Sequence, residues 1–97
     1  MGARAASKPR QPYVVRTPGT CGGRARIDGT RIAVWLVASS VLRNGMSPEE
    51  FVEQYPHVTL AQIHAALSYY YDHRTEVERD LRSQDEAWRK RTGRGSR

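Results

Sequence analysis

"NGMSPEEFVEQYPHVTLAQIHAALSYYYDH", residues 44–73, carries its own punctuation. Asn44-Gly45 stops whatever helix precedes it. Ser47 is a helix cap, Pro48 suits the first helical position, and Glu50 completes a capping box. Phe51, Val52 and Tyr55 form the buried side of that helix, and Pro56 ends it. After "PHV", Thr59 caps a second helix with Gln62 three residues on. Leu60, Ile63, Leu67 and Tyr71 are expected to make its core stripe, leaving Thr59, Gln62, Ala65, Ala66 and Tyr69 outward. Two helices of this length across so short a turn have helix-turn-helix dimensions.

Working upstream, "AVWLVASSVLRNG" places Val34, Val37, Ala38, Val41 and Leu42 at helical spacing. It supplies the first helix of a three-helix core. Before it, "TCGGRARIDGTRIAV", residues 20–34, combines glycines, arginines and an Asp28-Gly29 turn signal. A two-residue hairpin there sets Ile27 opposite Thr30 and Ala25 opposite Ile32. Ala25, Ile27, Thr30 and Ile32 then share one face, while Arg24, Arg26 and Arg31 share the other. Arg26 and Arg31 would face each other and invite an anion. That anion is either nucleic-acid phosphate or an acidic helix of the chain itself, with Glu49, Glu50 and Glu53 as candidates. "YVVR", Tyr13–Arg16, has strand character.

The glycine run matches no phosphate or metal motif. No Lys follows the glycines as a P-loop requires, and their spacing is not that of a dinucleotide fingerprint. Cys21 and three distant histidines are too few for a zinc knuckle. No nucleophilic triad or paired-carboxylate arrangement stands out. The expectation is a chain with no catalytic residues, no metal and no cofactor.

Downstream, "TEVERDLRSQDEAWRKR" reads as a further helix, with Thr75 and Glu78 as a capping box and a break near His73–Arg74. Its apolar stripe is thin: Val77, Leu81 and Trp88. So narrow a seam is expected to pack on a neighbouring chain. The organisation expected is a disordered basic arm over 1–12, a strand/hairpin plus helix-turn-helix domain over 13–73, a C-terminal helix over 74–91 and a disordered tail over 92–97. The fold class is mainly α: a homeodomain-like three-helix core with a short N-terminal β-hairpin and an extra C-terminal helix.

The formal charge of the 97 residues is +6, and it is unevenly placed. Basic residues dominate residues 1–31 and 89–97, whereas 32–88 is acidic. Basic ends favour polyanions, but the second helix of the pair holds no Lys or Arg, so any DNA affinity would have to come from the arm and the hairpin. No apolar run approaches the roughly 20 residues of a membrane helix, and "MGARAASKPRQP" lacks the apolar centre of a secretory signal. The single cysteine forms no internal disulfide. A cytoplasmic protein is expected.

"CGGRARIDGTRIAV" followed by "NGMSPEEFVEQYPHVTLAQIHAALSYYYDHRTEVE" resembles the bacterial domain-of-unknown-function 433 family. Gly22, Gly23, Ile27, Gly29, Thr30, Arg31, Ile32 and Val34 fit its pattern, as do Gly45, Ser47, Glu49, Glu50, Tyr55, Pro56, Thr59, Ala66, Leu67 and Tyr69. Ala25 departs from it, standing where many members have proline. The resemblance spans about residues 13–88. It implies a homeodomain-like helix-turn-helix, often dimeric through its N-terminal strands. It also implies a VapB-type antitoxin that neutralises a PIN-like ribonuclease toxin and binds its own operator DNA as a regulator of transcription. On that basis Arg16, Arg24, Arg26, Arg31, Thr59, Gln62 and Tyr69 are the expected DNA contacts. Tyr13, Val15, Trp35, Leu36, Val77, Leu81 and Trp88 are the expected partner or homodimer contacts. The alternative is a protein-interaction or oligomerisation module that does not bind DNA.

Overall fold

The structure, a computed structural model, describes residues 13–92. The basic arm expected over 1–12 and the tail after Thr92 lie outside the described residues. Two short strands, β1 (Val14–Val15) and β2 (Arg26–Ile27), pair antiparallel with Val14 opposite Ile27. Four helices follow. α1 covers residues 34–43, α-helical over Val34–Ala38 and widened to a π turn over Ser39–Arg43. α2 is Pro48–Gln54, α3 is Leu60–Asp72 and α4 is Arg74–Thr92. The chain is thus mainly helical with a small sheet near its N-terminus.

Local chemistry sets the helix starts. The Glu50 N–H donates to Ser47 Oγ at 3.0 Å, and the Ser47 N–H donates back to Glu50 Oε1 at 2.8 Å. Thr59 and Gln62 repeat the arrangement at 3.2 and 2.8 Å. Each box satisfies two amides that the helix cannot, and such caps contribute about 1 kcal/mol. The core draws on every layer: Ile27, Val37, Phe51, Ile63, Ala66 and Val77 are fully buried. Phe51 also stacks on Tyr55, ring centroids 4.6 Å apart.

The structure corrects the sequence-based expectation at four points. The first is the hairpin register. Ile27 N–H donates to Ile32 O at 2.8 Å, Val34 N–H to Ala25 O at 2.9 Å, and Arg26 bridges Ala33. The pairing is therefore shifted by two residues from the two-residue hairpin. Gly29 alone is left-handed in the turn, at φ 80°, whereas that hairpin type needs positive φ at Asp28 as well. Thr30 causes the shift. Its hydroxyl donates to Ile27 O at 2.8 Å and accepts the Ile32 N–H at 2.9 Å, stabilising a wider loop. Because the shift is even, Ala25, Ile27, Ile32 and Val34 still face the core.

The second is the buried face of α3. Ile63, Ala66, Tyr69 and Tyr70 are inside, whereas Leu60 and Tyr71 are exposed at 40% and 57%. Ala66 is fully buried in α3, which packs closely on α1. Tyr69 and Tyr70 lie where their hydroxyls reach carboxylates on α4, as buried phenols require. Ala66 and Tyr69 therefore do not lie on an outward recognition face.

The third is the start of α4. Thr75 lies inside the helix, and Glu78 accepts the Tyr70 hydroxyl at 2.5 Å instead of closing a cap. His73 forms the junction. Its carbonyl accepts the Val77 N–H, its N–H donates to Tyr69 O, and its ring stacks on Tyr69 at 4.0 Å.

The fourth is the destination of Val77 and Leu81. Both are buried within their own chain, where α4 lies against α1. The N-terminal half of α4 is held by the body, not reserved for a neighbour.

Candidate interaction surface

Thr20 to Arg24 form a left-handed turn. Cys21, Gly22 and Gly23 have φ of 53°, 65° and 78°, closed by Gly23 N–H to Thr20 O at 2.9 Å and Arg24 N–H to Cys21 O at 3.1 Å. Cys21 is the one non-glycine described residue at positive φ, a conformation that costs about 1 kcal/mol or more. Gly22 is held by its conformation, and a side chain there would also displace the end of Arg24. A Cβ there would lie 2.4 Å from Arg24 Nη1.

The turn delivers Arg24 to α4. Its Nε lies 3.7 Å from Asp80 Oδ1, Nη2 donates to Ser83 Oγ at 3.3 Å, and Nη1 donates to Cys21 O at 3.4 Å. Arg16 is held similarly. It pairs with Glu76, whose two carboxylate oxygens also accept the Tyr69 hydroxyl at 2.9 and 3.0 Å. Burial pushes the Tyr69 hydroxyl above the ordinary tyrosine value. Burial likewise raises Asp80, opposed by the Arg24 charge. Arg26 donates to Thr30 O at 3.0 Å and to Thr17 Oγ1 at 2.9 Å, while its buried Nε finds no partner among the described residues.

Arg26 and Arg31 do not oppose each other, since the shifted register sets Arg26 against Ala33. The acids that hold the arginines come from α4, not from Glu49, Glu50 or Glu53. Arg31 is the exception. Its guanidinium is exposed and makes no ion pair or hydrogen bond with a described residue.

Arg31 stands beside a cleft of about 270 Å³, lined by Cys21, Arg24, Arg31, Ala33, Trp35, Leu36 and Gln84. The Cys21 thiol donates to Arg31 O at 3.4 Å and ties the left-handed turn to the loop before α1. Trp35 and Leu36 are half-buried there, packed against the core edge. Beyond Gln84, α4 continues with residues 85–91 all exposed. Trp88 is 61% exposed, under the Arg91 guanidinium at 5.8 Å, and the last turn is basic with Arg89, Lys90 and Arg91.

The expected DNA contacts are therefore scattered. Thr59 and Gln62 bond each other across the α3 cap, Tyr69 is buried against Glu76, and Arg16, Arg24 and Arg26 are engaged internally. Of the expected partner contacts, Trp35 and Leu36 share the cleft, Trp88 lies one turn past it, Val15 lies on β1 and Tyr13 immediately precedes it. Glu76, Asp80 and Ser83 were missed as anchors. Their spacing of four and three along one helical stripe was the available signal. Among the described residues no cluster of His, Cys, Asp or Glu is suited to a metal ion, and no helix is long and apolar enough to cross a membrane.

The family model described as "Protein of unknown function (DUF433)" matches residues 14–70. The chain belongs to the DUF433 family. A crystal structure of a DUF433 member protein from Anabaena variabilis ATCC 29413 is similar to it, with TM-score 0.67 and 35% identity over 71% of this chain and 67% of that one. No curated protein matches. The family match ends at Tyr70, so α4, which supplies Glu76, Asp80 and the exposed arm, lies beyond it.

Proposed function

We propose that this DUF433 chain is a non-catalytic, antitoxin-like protein of a bacterial toxin–antitoxin pair, acting in the cytoplasm by masking a PIN-like ribonuclease toxin. The observation that carries this reading is the second half of α4. It leaves the body as an exposed helical arm with Trp88 on its side and Arg89, Lys90 and Arg91 at its end. Nucleases that work through divalent ions hold them with carboxylates, so a cationic helix complements such a site in charge. An exposed tryptophan is the residue type most often found as an interface anchor.

Operator DNA is the weaker part of the expectation. Affinity for a duplex rests largely on free Lys and Arg, and three of the four hairpin-region arginines here have internal partners. Thr59 and Gln62 are likewise committed to a cap.

The test is ribonuclease activity of the product of the adjacent reading frame, co-expressed with this chain or with its R89E/K90E/R91E variant. The wild type should co-purify with that nuclease and suppress it, and the variant should lose at least about tenfold in affinity, in line with several rim and anchor charges acting together. A neighbouring product that has no nuclease activity, or that is not suppressed, removes the antitoxin reading.

A further inference from the structure

Arg16, Arg24 and Arg26 all end on partners within the chain: Arg16 on Glu76, Arg24 on Asp80 and Ser83, Arg26 on Thr30 and Thr17. The Arg31 guanidinium has no such contact with a described residue, and it stands at the cleft of about 270 Å³. The walls beside it are apolar: Ala33 is buried, and Trp35 and Leu36 pack on the edge of the core. Gln84 adds an amide, which both donates and accepts. The cleft is also held in shape. Val34 N–H donates to Ala25 O at 2.9 Å, and the Cys21 thiol donates to Arg31 O at 3.4 Å. Trp88 is 61% exposed and is not among the lining residues, so the chain's own indole does not fill the cleft in this structure.

We propose that this cleft binds a small organic acid, its aromatic or branched apolar body against Trp35 and Leu36 and its carboxylate on Arg31. Charge selects the sign of the ligand. A guanidinium without an internal acid offers a carboxylate two parallel N–H bonds. Size selects the class. Pockets for drug-sized ligands run from roughly 300 to 1,000 Å³, so a cleft of about 270 Å³ takes one ring or one branched chain, not a nucleotide. The apolar walls select the body, because a bare inorganic anion would leave them in water. A stable protein partner buries about 800 Å² on each side, far more than one such cleft provides. Cys21, left-handed at φ 53°, lies on the same wall, and backbone strain of this kind gathers at ligand clamps. The proposal rests neither on the antitoxin reading nor on the oligomeric state of the chain.

Phenylacetate is the probe, phenylacetamide its neutral counterpart, and inorganic phosphate the anion without an apolar body. The full chain carrying Trp88→Phe keeps Trp35 as its sole indole, so its emission reports the cleft. Phenylacetate should shift that emission saturably with a Kd below about 1 mM, and the amide and phosphate should each bind at least about fivefold more weakly. Arg31→Gln should weaken phenylacetate by about fivefold or more and leave the amide unchanged, while Arg31→Lys should keep part of the affinity. Arg31 is exposed, so circular dichroism of both variants should match the parent. Calorimetry of the wild type should give the same Kd within about twofold. The proposal is overturned by the lack of a saturable shift up to about 10 mM, by an amide or phosphate that binds as tightly as the acid, or by an Arg31→Gln variant that binds as well as its parent. Binding that appears only once Trp88 is replaced would make the chain's own indole the occupant and overturn it equally. Because no toxin is present, this result is separate from the neutralisation assay.

Discussion

At Gly22 two constraints coincide, a φ of 65° and an Arg24 guanidinium that would lie 2.4 Å from any Cβ. Alanine there must adopt a disfavoured backbone and also displace the side chain that reaches Asp80. Gly22→Ala is expected to lower stability by about 1–3 kcal/mol, read as a shift in urea midpoint. A loss no larger than that of Gly19→Ala, where φ is also positive but nothing lies within 4 Å, would remove the role given to Arg24. None of this was legible in "TCGGRAR". The glycines announced a tight turn, but the partners of its Arg24 lie almost sixty positions away. The Asp28-Gly29 signal was read correctly as a turn and wrongly as a two-residue hairpin, because the Thr30 hydroxyl offers the backbone a competing set of bonds.

At the scale of elements, the caps were the most legible feature. Ser47–Glu50 and Thr59–Gln62 act within four residues, so their chemistry is complete in the sequence. Thr59→Ala should cost about 1 kcal/mol, seen in thermal or urea unfolding, with no wider effect. A much larger loss would mean that Thr59 does more than cap α3. The facing of α3 was harder to read. "AALSYYY" holds apolar or aromatic residues on nearly every side, so two arcs compete, and packing against α1 and α4 decides between them. The α3–α4 junction also makes stability depend on pH. Tyr69 is raised chiefly by burial and Tyr70 chiefly by its hydrogen bond to Glu78. The folded chain holds both phenolic protons more tightly than the unfolded chain does. Their stabilising contribution is intact below the ordinary tyrosine value of about 10 and is lost as pH rises through the raised values. Melting temperatures should therefore fall above about pH 10, and Tyr70→Phe should flatten that fall. An unchanged slope in the phenylalanine variant would assign the alkaline loss elsewhere.

Across the whole molecule, the hairpin and the last helix act as one unit, clamped by Arg16–Glu76 and Arg24–Asp80. The sequence showed a basic N-terminal region and an acidic body, but charge totals do not say which acid meets which base. Arg24→Ala should loosen the clamp locally. Amide exchange over residues 76–84 should quicken while α2 and α3 keep their protection, and uniform acceleration across all helices would show that the clamp is not a separate unit. The mismatch between a firmly docked first half of α4 and an exposed second half is what places Trp88 and the basic last turn in reach of other molecules.

The Arg16–Glu76 contact joins residues 60 positions apart, and the Arg24–Ser83 contact joins residues 59 apart. A nascent chain emerges N-terminus first, at about 5–20 residues per second. The hairpin arginines thus leave the ribosome seconds before the carboxylates that neutralise them. During that interval they are open to the polyanions around a translating ribosome, and closing so long a loop is a late step in folding. In the finished protein Arg16 and Arg24 are paired with acids on α4, so the affinity of this stretch for nucleic acid should be higher before synthesis ends.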